Sequence, residues 1–139
     1  MADTLAIEIV SPASPSLELH AQEVRLPGAA GVITIMPGHT EVLTLLNSGV
    51  VTIHHKDDVT FFAVHGGFVE VLKKHVLILA DGVESGKDID VARAKAARER
   101  AESRLEKSGP DGEDTDVARA EAALGRALAR LQAHAREHY

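Results

Sequence analysis

The 139-residue chain contains no cysteine, so neither a disulfide nor a thiolate metal site can form. Aromatic residues make up only 3%, so a core must rest on Val, Ile, Leu and Ala, which the 45% apolar content permits. Long apolar runs are missing too. A stretch such as Val76–Ala80 is far shorter than the ~20 residues that cross a bilayer. The N-terminus lacks a basic segment followed by an apolar run, which argues against a signal peptide. There is no excess of basic charge: the formal net charge of −6 disfavours a general nucleic-acid binder. Nor is there a G-x-S-x-G, P-loop, G-x-G-x-x-G or H-E-x-x-H motif, so nucleophilic catalysis and zinc chemistry have no support. His54 and His55, adjacent on one strand, point to opposite faces and cannot share a metal.

What is present falls into two textures. Residues 1–84 carry four Lys/Arg and ten Asp/Glu, a net of −6, whereas residues 85–139 carry eleven of each. The acidic part reads as β. Leu5, Ile7 and Ile9 alternate with Ala6 and Glu8, and Val50, Thr52 and His54 alternate with Val51 and Ile53. Val69 and Val71 lead through Lys73-Lys74 to Val76-Leu77-Ile78-Leu79, a hairpin with a polar turn. Frequent Gly and Pro punctuation between short strands suggests a sandwich or barrel over residues 1–84.

Residues 88–139 read as helical. Asp88 is a candidate cap for a helix running to about Lys107. Gly109-Pro110-Asp111-Gly112 breaks it, and a second helix runs from about Asp116 towards Glu137. Two helices joined by so short a connection form an antiparallel hairpin, each arm about 30 Å long. The expected contact sets Val91, Ala94, Ala97, Ala101 and Leu105 against Val117, Ala120, Leu124, Leu128 and Leu131. An Ala methyl contributes about 0.8 kcal/mol on burial against about 1.5–3 for a Leu side chain, so this pair packs closely and weakly.

Asp90 and Arg93 share one face of the first helix, and Arg126 and Arg130 share a face of the second with no acid nearby in sequence. In the antiparallel register Arg93 lies opposite Arg130, Arg126 faces Ala96-Ala97, and Arg100 is two turns along from Arg93. Converging guanidiniums suit a polyphosphate, which they grip through paired hydrogen bonds. The ordinary alternative is a solvated face with Asp90–Arg93 as a local pair. A second feature is the run Gly31 to Thr40, where strand residues enter a Pro37-Gly38 turn with His39 at its exit. This loop is either an interface element or a turn whose histidine satisfies backbone groups.

Five segments in order resemble the epsilon subunit of bacterial F-type ATP synthases. They are Leu5–Pro12, Met36-Pro37-Gly38-His39-Thr40-Glu41-Val42-Leu43-Thr44, Val64-His65-Gly66-Gly67-Phe68-Val69-Glu70-Val71, Val76–Asp81 and Ile89-Asp90-Val91-Ala92-Arg93-Ala94. The resemblance implies an α+β chain: an antiparallel β-sandwich of ten strands followed by a two-helix antiparallel hairpin. It implies a rotor subunit of the central stalk with no catalytic activity of its own, in a proton-translocating complex. The sandwich would bind the gamma subunit and rest on the c-subunit ring, with Gly31, Val32, Pro37, Gly38 and His39 at the interface. The hairpin would fold onto the sandwich or extend into the catalytic head of alpha and beta subunits and block ATP hydrolysis.

ATP is implied as a regulatory ligand, with no obligatory cofactor. By position its site would use Glu84, Ile89, Asp90, Arg93, Ala94 and Arg100 with Arg126 and Arg130. The location implied is the cytoplasmic face of the bacterial cell membrane, touched only through the complex. Relatives often carry G-E-x-G where this chain has Gly31-Val32-Ile33-Thr34. A free-standing ATP-sensing module is the alternative function.

Overall fold

A computed structural model describes residues 3–107 and 114–138. Eight strands are found among them: β1 Leu5–Ser11, β2 Ser14–Ala21, β3 Glu23–Gly28, β4 Gly31–Ile35, β5 Val42–His55, β6 Asp58–Leu72, β7 His75–Ala80 and β8 Val83–Ser85. A 3₁₀ turn at Gly86–Asp88 leads to α1 (Val91–Lys107) and α2 (Asp114–Glu137). The expected breaker Gly109–Gly112 lies outside the described residues. The second helix begins two residues earlier than Asp116.

The strands hydrogen-bond in the order β2-β1-β7-β6-β5-β3-β4, with β8 also on β6. All described pairings are antiparallel except β1–β7, which is parallel, so the sheet is mixed rather than purely antiparallel. The resemblance implies ten strands and eight are described, because β5 and β6, 14 and 15 residues long, each run unbroken through both layers. The sheet closes around one core drawn from seven strands, with Leu5, Ile7, Ile9, Val24, Leu26, Ile35, Val51, Val64, Val71 and Ile78 almost fully buried. These aliphatic side chains do what the missing aromatics would otherwise do.

Alternation inverts partway along the two long strands. In β6 the core receives Phe62 and Val64 first, then Val69 and Val71. Between them Gly66 and Gly67 take φ of +79° and +127°, which side chains of L-residues rarely adopt. A Cβ at Gly67 would also strike the carbonyl oxygen of Leu79. In β5 the inward residues shift from Leu46 to Val51 and Ile53. The strand-pair is thereby re-aimed, and it presents two different outward faces.

One outward face is covered. Val50 and Ala63 form a second apolar cluster with Ile89, Ala129 and Ala133, flanked by Phe61. This places α2 on β5 and β6, and α1 packs on α2. Gly49 to Ile53 are consequently buried on both faces, although the alternation of Val50, Thr52 and His54 suggested a half-exposed strand. Ala120 and Ala127 lie across α2 from Ala129, towards α1, which buries Ala94 and Ala101. Leu128, expected in the seam, is 38% exposed, because a helix wedged between a sheet and another helix buries two stripes and leaves the flanks open. The hairpin is therefore held by the sheet as well as by its own seam.

Candidate functional site

The site lies where the last strand hands over to the first helix. Asp88, expected to cap that helix, is instead the last residue of the 3₁₀ turn. Asp90 caps α1: its carboxylate Oδ1 accepts from the backbone N–H of Arg93 at 3.1 Å. Ala94 N–H then donates to the Asp90 carbonyl at 3.0 Å. Among the described residues no ion pair joins the side chains of Asp90 and Arg93. The cap uses the carboxylate and leaves the Arg93 guanidinium to the solvent side.

A cavity of about 340 Å³ opens there, lined by Glu84, Asp88, Asp90, Arg93, Ala94, Ala97, Arg100 and Arg130. It falls at the small end of the ~300–1,000 Å³ usual for ligand pockets. Arg93 and Arg130 share it, as the hairpin register requires, with Arg100 a further arginine on its wall. Ala94 and Ala97 leave space that larger side chains would fill. Two of the positions derived from the sequence are not in this lining. Ile89 is buried in the apolar cluster under α2, and Arg126 is exposed one turn before Arg130. Asp88 and Ala97, which sequence reasoning left out, do line it. The spacing Asp88-x-Asp90 ahead of a helix start was the available signal for Asp88.

The arginine pair of α2 was expected to have no acid nearby. The tertiary structure supplies one from 46 residues away: the Arg130 Nε–H donates to Glu84 Oε1 at 3.0 Å and Oε2 at 2.9 Å. With three acids and three arginines on its wall the cavity is charge-balanced, not simply positive. Burial alone would push the Glu84 carboxyl up. The hydrogen bond and charge of Arg130, helped by His65, outweigh that and hold it below the usual carboxylate range. Behind Glu84, on β6, the His65 side chain is 7% exposed, with Nε2 at 3.7 Å from Glu84 Oε1, too long for a hydrogen bond. Burial and then the Arg130 guanidinium push His65 below its ordinary value, with Arg126 adding to the effect and Glu84 opposing it.

Gly86 permits this junction. A Cβ there would come within 2.9 Å of the Ala133 carbonyl oxygen and 2.8 Å of Glu137 Cγ on α2. The chain next to Glu84 thus runs directly under the last turns of α2, which brings Arg130 within reach.

The loop residues form a separate feature at the other end. Gly31 (φ +134°) follows the Gly28 corner of the β3–β4 hairpin, and Val32 beside it is 76% exposed. Met36 to His39 make a tight turn in which the His39 N–H donates to the Met36 carbonyl at 3.0 Å, with Pro37 and then Gly38 (φ +91°) at its centre. The His39 Nδ1–H donates to the Thr40 carbonyl at 2.6 Å, so its ring does satisfy a backbone group. Val32 and Met36 remain bare. A further bare surface was not anticipated. Leu45, Phe68 and Leu79 are cross-strand neighbours on β5, β6 and β7, and all three are exposed, with Leu43 at 67% beside them. The signal was legible in Val42-Leu43-Thr44-Leu45-Leu46, where apolar residues occupy both faces.

Known proteins match both halves of this architecture. Residues 4–86 match the beta-sandwich domain of the ATP synthase delta/epsilon chain, and residues 87–134 match its long alpha-helix domain. An ATP synthase epsilon chain of Koribacter versatilis is 41% identical over 111 residues, spanning 80% of this chain and 78% of its own length. An epsilon chain of Syntrophotalea carbinolica is 42% identical over 110 residues, 79% of this chain and 80% of its own. In fold, the chain superimposes on one in the cryo-EM structure of the Euglena gracilis mitochondrial ATP synthase with a TM-score of 0.79. That likeness comes at 16% identity and covers 94% of this chain and 81% of that one. A chain from the Tetrahymena thermophila mitochondrial ATP synthase central stalk and c-ring aligns with a TM-score of 0.62 at 12% identity, covering 94% of this chain and 96% of that one. With a matching sandwich, a matching helical domain and relatives this similar over most of their length, the chain belongs to the ATP synthase epsilon family.

Proposed function

We propose that this chain is a non-catalytic rotor subunit whose docked hairpin senses a nucleoside triphosphate. The observation that carries the sensor is the cavity at the junction, where Arg93 and Arg100 of α1 and Arg130 of α2 line one wall with Glu84 of the sheet. A ligand bridging both helices and the sheet binds only the docked arrangement and therefore stabilises it. At a hundred times its dissociation constant it adds about 2.7 kcal/mol. Loss of the nucleotide frees the helices to extend into the catalytic head of alpha and beta subunits and oppose hydrolysis.

Two bare surfaces support the coupling role. The row Leu45, Phe68 and Leu79 suits a long apolar partner, for which the gamma subunit is the candidate. The tip formed by Val32 and the Met36–His39 turn suits the c-subunit ring. No described helix is long and apolar enough to cross a membrane. Membrane contact then comes through the complex, at the cytoplasmic face.

Titration of the chain with ATP, read by a fluorophore on α2, tests the sensor. Arg130→Ala is expected to weaken binding at least tenfold, and Arg126→Ala to weaken it less, since Arg126 lies outside the cavity lining. An Arg130→Ala titration that overlays the wild type would reject the cavity as the nucleotide site.

A further inference from the structure

We propose that His65 makes docking of the hairpin proton-sensitive: when its ring takes up a proton, α2 is released from the sheet. His65 sits on β6, a strand that α2 packs against, and among the described residues neither ring nitrogen has a hydrogen-bond partner. A buried imidazole with both nitrogens unsatisfied is costly unless it contributes something else. Its neighbours say what that is.

Each element packed against the ring contributes to the charge balance. Glu84 approaches from β8 at 3.7 Å, and Arg126 and Arg130 act on it from α2. Ser48, its cross-strand neighbour on β5, is uncharged. The backbone of Gly82 lies against the ring edge, and the Asp81 carboxylate sits over the adjacent Gly66. With His65 neutral, Glu84 is left to Arg130, which grips both its oxygens. With His65 charged, the Glu84 carboxylate faces two cations, the imidazolium and Arg130, while Arg126 lies close enough to act on the ring. The new cation competes with Arg130 for that carboxylate and repels both guanidiniums of α2. The two groups that can move away together are those guanidiniums, because both belong to the helix.

The sign follows from linkage. With α2 lifted off, His65 meets water and titrates near ~6.5. Docked, its affinity for a proton is depressed, chiefly by burial and then by Arg130. The docked state therefore binds fewer protons, and docking is strongest above ~6.5. It weakens as pH falls through that value and levels off once the pH is below the docked pKa. Every unit of depression makes docking up to about tenfold weaker in acid than in base. Glu84, held below its usual range, works in the same direction but only at still lower pH. If the cavity holds a nucleotide, acidification raises its apparent dissociation constant. That corollary rests on the proposed sensor, whereas the proton response does not.

The absence of native cysteine makes the test clean. In the full chain, Asp57→Cys on the β5–β6 turn and Gln132→Cys on α2, both exposed, carry a spin-label pair. Gln132 lies beside His54 and Val59, near that turn. Distances are measured from pH 8 to pH 5. One short distance is expected at pH 8, with a longer population growing as pH falls below 6.5. His65→Ser should keep the short distance down to pH 5.5, while His54→Gln and His134→Gln should respond like the parent. In parallel, the His65 ring proton followed by NMR in the unsubstituted chain should titrate below 6.5. A distance distribution indifferent to pH, an unchanged response in His65→Ser, or a His65 ring titrating at or above 6.5 each overturns the proposal. ATP added at pH 5.5, where the longer population has grown and a docking ligand can shrink it, separates the two ideas. No response to ATP with an intact pH response rejects the nucleotide site alone, and the reverse rejects the proton switch alone.

Discussion

The sandwich and the hairpin bury different kinds of side chain. The sandwich core is mostly Leu, Ile and Val, with Leu5, Val24, Ile35, Val51, Val71 and Ile78 at zero exposure and Phe62, Ala21 and Ala80 completing it. Every nearly buried helix position is alanine: Ala94, Ala101, Ala120, Ala127, Ala129 and Ala133. A large aliphatic side chain contributes about 1.5–3 kcal/mol on burial and an Ala methyl about 0.8. The two regions thus differ in how much holds them, not in whether they are ordered. An alanine-rich interface fits closely and contributes less per residue, which is the physical basis for the proposal that the hairpin leaves while the sandwich stays folded.

Core truncation should break the comparison most severely. Ile78→Ala, fully buried on β7, is expected to cost the sandwich about 2–5 kcal/mol and to lower the denaturation midpoint of the whole chain. Chemical denaturation followed by far-UV dichroism measures this, and a shift below about 1 kcal/mol would mean the core is looser than its packing indicates.

A smaller effect is expected at the alanine interface, and it should stay local. Ala129→Leu places a larger side chain against Val50 and Ala63, a strain of about 1–3 kcal/mol that undocking relieves. Hydrogen exchange should then rise in α2 and in the faces of β5 and β6 beneath it. The core amides of β1 and β7 should keep their protection. Uniform loss of protection would show that hairpin and sandwich unfold as one unit.

The Glu84–Arg130 contact sharpens the comparison most gently. Both side chains are partly exposed, so solvent screening limits the pair to under about 1 kcal/mol. Glu84→Gln is expected to leave the sandwich untouched and to shift the docked fraction of the hairpin only a few-fold. The spin-label pair described above reads that shift. A loss of docking as large as that of Ala129→Leu would make this ion pair the main fastening of α2.

Much of this organisation was legible in the residues. The period-2 runs of β1 and β5, the apolar run of β7, the change of texture near residue 85 and the helical pattern beyond it are local signals. Hairpin register alone brought Arg93 to the same wall as Arg130. What misled was also specific. Asp88 looked like a cap because acids precede helices, but a 3₁₀ turn intervenes and Asp90 takes the role. Leu128 looked like a seam residue because a two-helix hairpin buries one stripe, whereas α2 buries two. Arg126 and Arg130 looked alike, yet Arg130 alone lines the cavity and pairs with Glu84.

By itself, then, the sequence determined the order of strands and helices, the aliphatic character of one part and the alanine character of the other. Those properties depend on neighbours a few residues apart, which the chain holds together whatever its fold. Only the tertiary structure decided that Glu84 answers Arg130, that His65 is buried without a hydrogen bond, and that Val50 is covered while Leu45 is bare. Those outcomes turn on where α2 comes to rest on a sheet that reverses its own faces at Gly66–Gly67. Contacts between residues tens of positions apart leave no periodic mark in the chain, because packing in three dimensions is what creates them.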